Sequence, residues 1–180
     1  MFWRKTNEKN LLASLIAATS IFAVNNALAT DGTIDFTGEI IDQACELATG
    51  SDALKVNLGK VSKTALPTAG STAAATKFTI KLINCPATVT TASVKFDAES
   101  YLGDDQVIKL KEETGVATGV GIQITDDANT VVPLFTASKN YPLQQNVENN
   151  LDFRARYIAK SSTVTPGPAN ATATFTINYN

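Results

Sequence analysis

Few side chains of this 180-residue sequence could do acid–base, nucleophilic or metal chemistry. The sequence contains no histidine, which excludes Ser-His-Asp and Cys-His catalysis and imidazole metal sites. Adjacent carboxylates occur at Glu112-Glu113 and at Asp126-Asp127, where an acid–base pair or a calcium site would need them. Neighbours along a strand face opposite ways, so solvated turn or edge positions are the more ordinary interpretation. The sequence therefore predicts a protein that is not an enzyme and that has no cofactor or metal site.

The two cysteines, Cys45 and Cys85, are the remaining reactive side chains. In an oxidising compartment an isolated pair most simply forms one disulfide, here closing a loop of about 40 residues and worth roughly 4 kcal/mol in the chain-entropy model. Two free thiols, or a redox or catalytic cysteine, are the alternatives. No histidine is present to activate a thiolate, so the sequence favours a structural bridge.

Residues 1–29 have the pattern of a secretory signal peptide. Basic residues at positions 4, 5 and 9 precede an apolar stretch, Leu11 to Val24, and a small-x-small cleavage site follows at residues 27–29. No stretch reaches the roughly 20 apolar residues of a membrane span, so we expect export without membrane insertion. Removing three basic residues and Glu8 from totals of 15 and 17 leaves 12 basic and 16 acidic residues, a net charge of −4. That charge argues against nucleic-acid binding.

Alternation of apolar and polar side chains recurs along the remaining chain. It predicts strands around residues 78–83, 94–96, 120–124 and 151–157. Clusters of Gly, Pro, Asn and Asp separate these stretches, and no helical periodicity follows the signal peptide. The pattern predicts an all-β sandwich of immunoglobulin-like size.

The two ends of the predicted exported chain also have strand patterns. Residues 33–41, TIDFTGEII, place apolar side chains on one face and a glycine at the fourth position of that face: Ile34, Phe36, Gly38 and Ile40. Residues 171–180, ATATFTINYN, place three larger side chains on one face: Phe175, Ile177 and Tyr179. The simplest interpretation is that the terminal strands pair within one sheet of a self-contained domain.

An ordered set of short segments resembles a known family. The segments are IDFTGEII with Cys45 shortly after it, FTIKLINC ending in Cys85, GVGIQI, LDFRARYIA and TPGPANATATFTINY. Together with the signal peptide they resemble a structural subunit of chaperone–usher fimbriae, similar to the major pilin of type 1-like fimbriae. The resemblance covers essentially the whole chain after residue 29.

The resemblance implies an incomplete immunoglobulin-like sandwich that lacks its last strand and has a hydrophobic groove beside its C-terminal strand. A periplasmic chaperone would lend a strand to that groove, and at an outer-membrane usher the N-terminal extension of another pilin subunit would replace it. The expected division is a signal peptide at 1–29, a donor-strand extension at 30–41 and a pilin domain at 42–180. The expected location is a fimbria on the cell surface.

The resemblance also implies roles for individual residues. Ile34, Phe36 and Ile40 would enter the groove of a neighbouring subunit, with Gly38 at the position that takes no side chain. The acceptor groove and chaperone-binding edge would include Gly167, Phe175, Ile177 and Tyr179. Cys45 and Cys85 would tie the first two strands together. Only about four residues, 30–33, would precede Ile34, which is short for such an extension.

Three alternatives remain beside a major rod subunit. One is a minor or adapter pilin of the same kind of fibre. Another is a sugar-binding adhesin, which would be roughly twice as long with its binding domain first. The third is a self-contained secreted β-sandwich that acts as a binding module.

Overall fold

A computed structural model describes residues 32–38, 40 and 44–180, so the predicted signal peptide lies outside the described residues. The chain divides into two units, Met1–Glu39 and Ile40–Asn180. The fold described below is that of the second unit.

The second unit is built from strands, as the alternating pattern predicts. The strands are β1 (Glu46–Leu47), β2 (Thr72–Ile83), β3 (Thr91–Asp97), β4 (Ser100–Tyr101), β5 (Asp104–Ile108), β6 (Val120–Asp126), β7 (Tyr141–Pro142), β8 (Asn149–Ala159) and β9 (Thr174–Tyr179). One turn of 3-10 helix, Lys63–Ala65, is the only helix within the described residues. No helix of that part of the chain is long and apolar enough to cross a membrane.

The strands form two antiparallel sheets. One has six strands in the order β1-β2-β8-β6-β5-β4, and the other has three in the order β7-β3-β9. Side chains alternate along the long strands: in β8, Leu151, Phe153 and Ala155 are buried, while the residues between them are partly exposed. Each sheet therefore turns one apolar face towards a shared core.

Aromatic rings from both sheets meet in that core. Phe153 of β8 stacks on Phe78 of β2, with ring centroids 5.7 Å apart. It also contacts Phe96 of β3 and Tyr141 of β7 edge-on, at 5.1 and 5.5 Å. Phe153 is fully buried, so it joins the two sheets through both kinds of ring packing.

The disulfide predicted from the cysteine pair is present. It joins Cys45, immediately before β1, to Cys85, just after β2. β1 pairs with the end of β2, Glu46 opposite Ile83 and Leu47 opposite Leu82, so the bridge holds the first two strands of the unit together.

Candidate functional site

The C-terminal strand β9 lies at an edge of the three-stranded sheet. It pairs with β3 from Asp97 opposite Thr174 to Ala92 opposite Tyr179, and it has no partner strand on its other side within the described chain. Its inward side chains, Phe175, Ile177 and Tyr179, pack against the core but are only half-buried. The apolar face of β9 is therefore left partly uncovered.

An apolar groove of about 610 Å³ runs beside β9. One wall is the stretch Ala171–Phe175, and the other is formed mainly by Leu54, Val56 and Leu58. The floor consists of core side chains from both sheets, including Phe78, Phe96, Ile108, Ile122, Ile124 and Ala155. The groove thus opens directly onto the interior of the sandwich, where the inward side chains of one further strand would fit.

The wall opposite β9 is an extended stretch without strand pairing. Leu54, Val56 and Leu58 face the groove, whereas Lys55 and Asn57 between them are exposed. From residue 52 to residue 61, no backbone group is hydrogen-bonded to another backbone group of the described chain. Both walls therefore have free backbone donors and acceptors, which an inserted strand would satisfy.

A second cavity, of about 420 Å³, continues along the same two walls. Residues within 59–66 continue the wall that contains Leu54, Val56 and Leu58, residues 164–170 precede the wall Ala171–Phe175, and the floor includes Ala117, Val120 and Tyr157. Several hydrogen bonds hold the 164–170 stretch in place; among them, Ala117 N–H donates to the Pro168 carbonyl (2.9 Å), and the Tyr157 hydroxyl donates to the Ala169 carbonyl (3.2 Å).

Gly167 lies in this second cavity, and the structure explains its residue type. A Cβ at position 167 would lie 2.7 Å from the amide nitrogen of Ala117 and 2.9 Å from the carbonyl carbon of Val116, and it would overlap the carbonyl oxygen of Gly115. All of these are backbone atoms. Glycine is needed because two backbone stretches approach each other closely.

Tyr179 anchors the far end of β9, outside the two cavities. Its hydroxyl donates to the Cys45 carbonyl oxygen at 3.2 Å, and burial raises the pKa of the phenol above its usual value. Ile177 lies opposite Val94 of β3. Of the predicted acceptor residues, Phe175 and Gly167 line the cavities, whereas Ile177 and Tyr179 fix the strand that forms the wall.

The predicted N-terminal strand is not formed in the single chain. Residues 32–38 and 40 have no regular secondary structure, and Ile34, Phe36 and Ile40 are 79, 91 and 99% exposed. A strand needs a partner for its backbone groups, and alternation alone does not supply one. Apart from its two chain neighbours, no described residue has a heavy atom within 4 Å of the position that a Cβ on Gly38 would occupy.

The described residues contain no group of three or more Asp, Glu or Cys side chains that could hold a metal ion. The groove is lined almost entirely by apolar and small side chains. What this arrangement can do is bind an extended apolar segment.

The sequence reasoning missed the wall at residues 52–66. Its alternating run, Leu54 to Leu58, was the signal that could have revealed it. The run is short and ends at Gly59, which has a φ of +67°, so it does not stand out beside the longer strands.

A two-layer antiparallel sandwich with an open groove in place of one strand is an incomplete immunoglobulin-like domain. Solved structures share the fold: the rod subunit PapA of the P pilus superimposes with a TM-score of 0.65 and 24% identity over 77% of this chain and all of that chain. A Burkholderia pseudomallei antigen and type I fimbria protein matches with 38% identity and a TM-score of 0.58, over 82% of this chain and 97% of its own.

The family model of fimbrial proteins matches residues 34–180, and this chain belongs to that family. Long polar fimbria protein A of Salmonella typhimurium is 36% identical, over 94% of this chain and 93% of its own length. The type-1 fimbrial protein subunit of Serratia marcescens is 33% identical, over 95% and 99%. These relatives are fimbrial subunits and not enzymes, and the chain is accordingly a fimbrial protein of the cell surface.

Proposed function

We propose that this protein is a structural pilin that polymerises by donor-strand exchange. The N-terminal segment of one copy occupies the groove of another and completes its sandwich. The observation that carries the proposal is the groove beside β9, which is apolar, opens onto the core and is bordered by two walls with unpaired backbone groups. A strand added to such an edge gains both ladder hydrogen bonds and side-chain burial.

The same chain carries a segment with the matching pattern. Ile34, Phe36 and Ile40 alternate with polar residues and are exposed in the single chain. Burying these three side chains at about 1.5–3 kcal/mol each contributes roughly 5–9 kcal/mol before any hydrogen bond is counted. Because the contact is head-to-tail, it does not close on itself and generates an open filament.

The proposal assigns residues 1–29 to a signal peptide, 30–41 to the donor extension and 42–180 to the pilin domain. Before polymerisation the apolar groove must be protected, since an exposed apolar edge is an aggregation hazard. We assign that protection to a strand lent by a periplasmic chaperone, which is exchanged for the donor extension at an outer-membrane usher. Phe175, Ile177 and Tyr179 form the edge that both partners use.

Serine substitutions in the donor extension test the proposal. We expect Ile34→Ser with Phe36→Ser to reduce the yield of fibres sheared from producing cells by about tenfold or more, because the burial term is lost. The matched control is Thr33→Ser with Thr37→Ser, which changes the polar face of the same segment and should leave the yield unchanged. Fibres are quantified as the ladder of multimers on an unheated denaturing gel.

A deletion of residues 30–40 separates folding from assembly. The shortened subunit should still accumulate in the periplasm in a chaperone complex, while fibre growth stops. If the shortened subunit still polymerised, the donor-strand role would be wrong.

A further inference from the structure

The two walls of the groove differ in charge. The wall that contains β9 is neutral: no charged side chain occurs from residue 161 to residue 180. The opposite wall, residues 52–66, carries three lysines, Lys55, Lys60 and Lys63, and a single acidic residue, Asp52, at its start. All three are exposed, and Lys60 and Lys63 line the second cavity. The groove therefore has a net positive charge along one side only.

These three lysines differ from most other lysines of the second unit. Within the described residues, none of them has a carboxylate oxygen within 4.0 Å, whereas Lys77, Lys81, Lys95, Lys109, Lys139 and Lys160 all form ion pairs. The positive charge along the groove is thus not neutralised by the residues that surround it in the single chain.

The N-terminal segment has the opposite charge. Residues 30–42 include four acidic residues and no basic one. Three of the acids, Asp31, Asp35 and Glu39, occupy odd positions, as does Ile41, whereas Ile34, Phe36, Gly38 and Ile40 occupy even positions. In an extended strand successive side chains point to opposite faces, so the three acids share the face away from Ile34, Phe36 and Ile40.

We propose that the acidic face of residues 31–39 of one copy pairs with the basic wall, Lys55, Lys60 and Lys63, of another copy. This inference rests on the proposed function, because it requires the segment to lie in the groove. There the even side chains enter the core and the acids remain at the surface. Neighbouring strands lie about 4.7–4.9 Å apart, which brings the acids within reach of the lysines on the adjacent wall.

The expected effect is on the rate and specificity of capture more than on final stability. Exposed ion pairs contribute little to stability, but complementary potentials accelerate encounter and suppress wrong partners. Because only one wall has a net positive charge, a charged segment can also distinguish the two sides of the groove. An acidic segment is drawn towards residues 53–66, and a neutral segment with the same apolar residues is not.

A peptide-capture experiment on the whole exported chain tests this. The chain is diluted from denaturant in the presence of a dye-labelled peptide with the sequence of residues 30–42, and capture is followed by fluorescence anisotropy. A second peptide carries Asp31→Asn, Asp35→Asn and Glu39→Gln. At low ionic strength we expect the acidic peptide to be captured about fivefold faster, and at 0.5 M salt we expect equal rates because exposed charges are screened.

Two variants with the same change in net charge locate the effect. The triple variant Lys55→Gln, Lys60→Gln and Lys63→Gln should abolish the advantage of the acidic peptide. The control triple variant Lys77→Gln, Lys81→Gln and Lys139→Gln removes three lysines that do not line the groove, and it should preserve the advantage.

The outcomes separate this inference from the proposed function. Equal capture of the unmodified peptide and the peptide with the three amide substitutions at low salt would overturn the charge pairing and leave the groove assignment standing. Equal loss of the advantage in both triple variants would overturn it too, because net charge alone would then be responsible. A third peptide with Ile34→Ser and Phe36→Ser should not be captured. Its capture at the rate of the unmodified peptide would overturn the proposed function itself.

Discussion

The two neighbouring strands of the three-stranded sheet, β3 and β9, have the same alternation but very different burial. Val94 lies opposite Ile177, and Phe96 lies opposite Phe175. Val94 and Phe96 are 0% and 3% exposed, whereas their partners on β9 are only half-buried. The paired residues are similar in type and face the same core, so neither residue type nor orientation explains the difference in exposure. It arises from what lies on the far side of each strand.

The far side of β3 is covered by a stretch of the same chain. Phe135 N–H donates to the Phe96 carbonyl and Ser138 N–H to the Val94 carbonyl, both at 2.8 Å, and β7 completes the cover by pairing with residues 91 and 92. The far side of β9 has no such cover in the described chain. One edge of the sheet is thus closed by the chain itself, and we propose that the other is closed by a second copy.

Phenylalanine-to-alanine substitutions on β3 and β9 should show the largest difference in stability effect between the covered edge and the open edge. Phe96→Ala removes a fully buried ring and should cost about 3–5 kcal/mol in the refolded monomer and in the fibre alike. Phe175→Ala removes a half-buried ring, so we expect a smaller cost, about 1.5–2.5 kcal/mol, in the monomer and the full cost in the fibre. Guanidinium unfolding followed by circular dichroism measures both states.

The informative quantity is the difference between the two states for each variant. A Phe175→Ala cost that is the same in monomer and fibre would mean that polymerisation does not cover the ring. The closed and open edges would then have to be explained without a donor strand.

Alternation predicted β2, β3, β6, β8 and β9 because it reports that one face of a strand is buried. It does not report which strand lies beside it. The order of the sheets depends on contacts between residues far apart in sequence, such as Phe135 with Phe96. The stretch that covers β3 was also hidden from pattern reasoning. It contains Pro133 and Pro142, and Phe135 has a φ of +62°, so it does not have the regular pattern of a strand.

The candidate site was predictable to a similar extent. The apolar residues of both terminal segments followed from alternation, and the roles of the two segments came from family resemblance. The lysine-bearing wall was not predicted, because its alternating pattern spans only five residues, 54–58. Sequence also could not give the reason for Gly167, since the backbone it approaches, at residues 115–117, is about fifty positions away.

Substitutions at two glycines, Gly167 in a closely packed region and Gly38 in an exposed segment, offer a second test. Gly167→Ala places a Cβ against backbone atoms that cannot move aside independently, and it should lower the free energy of unfolding of the monomer by about 1–3 kcal/mol. Gly38→Val meets no atom within 4 Å in the single chain and should change monomer stability by less than about 0.5 kcal/mol. Chemical unfolding of the refolded monomers checks both values.

Fibre yield then completes the test of Gly38. If the groove requires close backbone approach at this position, Gly38→Val should sharply reduce fibre yield despite normal monomer stability. Normal fibre yield from this variant would show that the position tolerates a side chain and would remove that reason for the glycine.

The smallest expected effect concerns the anchored end of β9, where Tyr179 donates its hydroxyl hydrogen to the Cys45 carbonyl. Tyr179→Phe should cost about 0.5–1.5 kcal/mol, because one partly buried hydrogen bond is lost. Burial raises the pKa of Tyr179, so the neutral phenol is favoured in the folded state. Its contribution is fully present below the ordinary pKa of about 10 and is lost as the pH rises through the higher folded-state pKa.

The pH dependence tests whether the Tyr179 phenol is buried in the folded protein. Wild-type protein should lose more stability between about pH 9 and pH 11.5 than Tyr179→Phe does, with unfolding midpoints measured at each pH. Burial also raises the pKa of Tyr157, and burial together with nearby carboxylates raises that of Tyr141, so the variant should keep part of the alkaline loss. An alkaline loss identical to that of the wild type would show that the hydroxyl of Tyr179 is not buried in the folded protein.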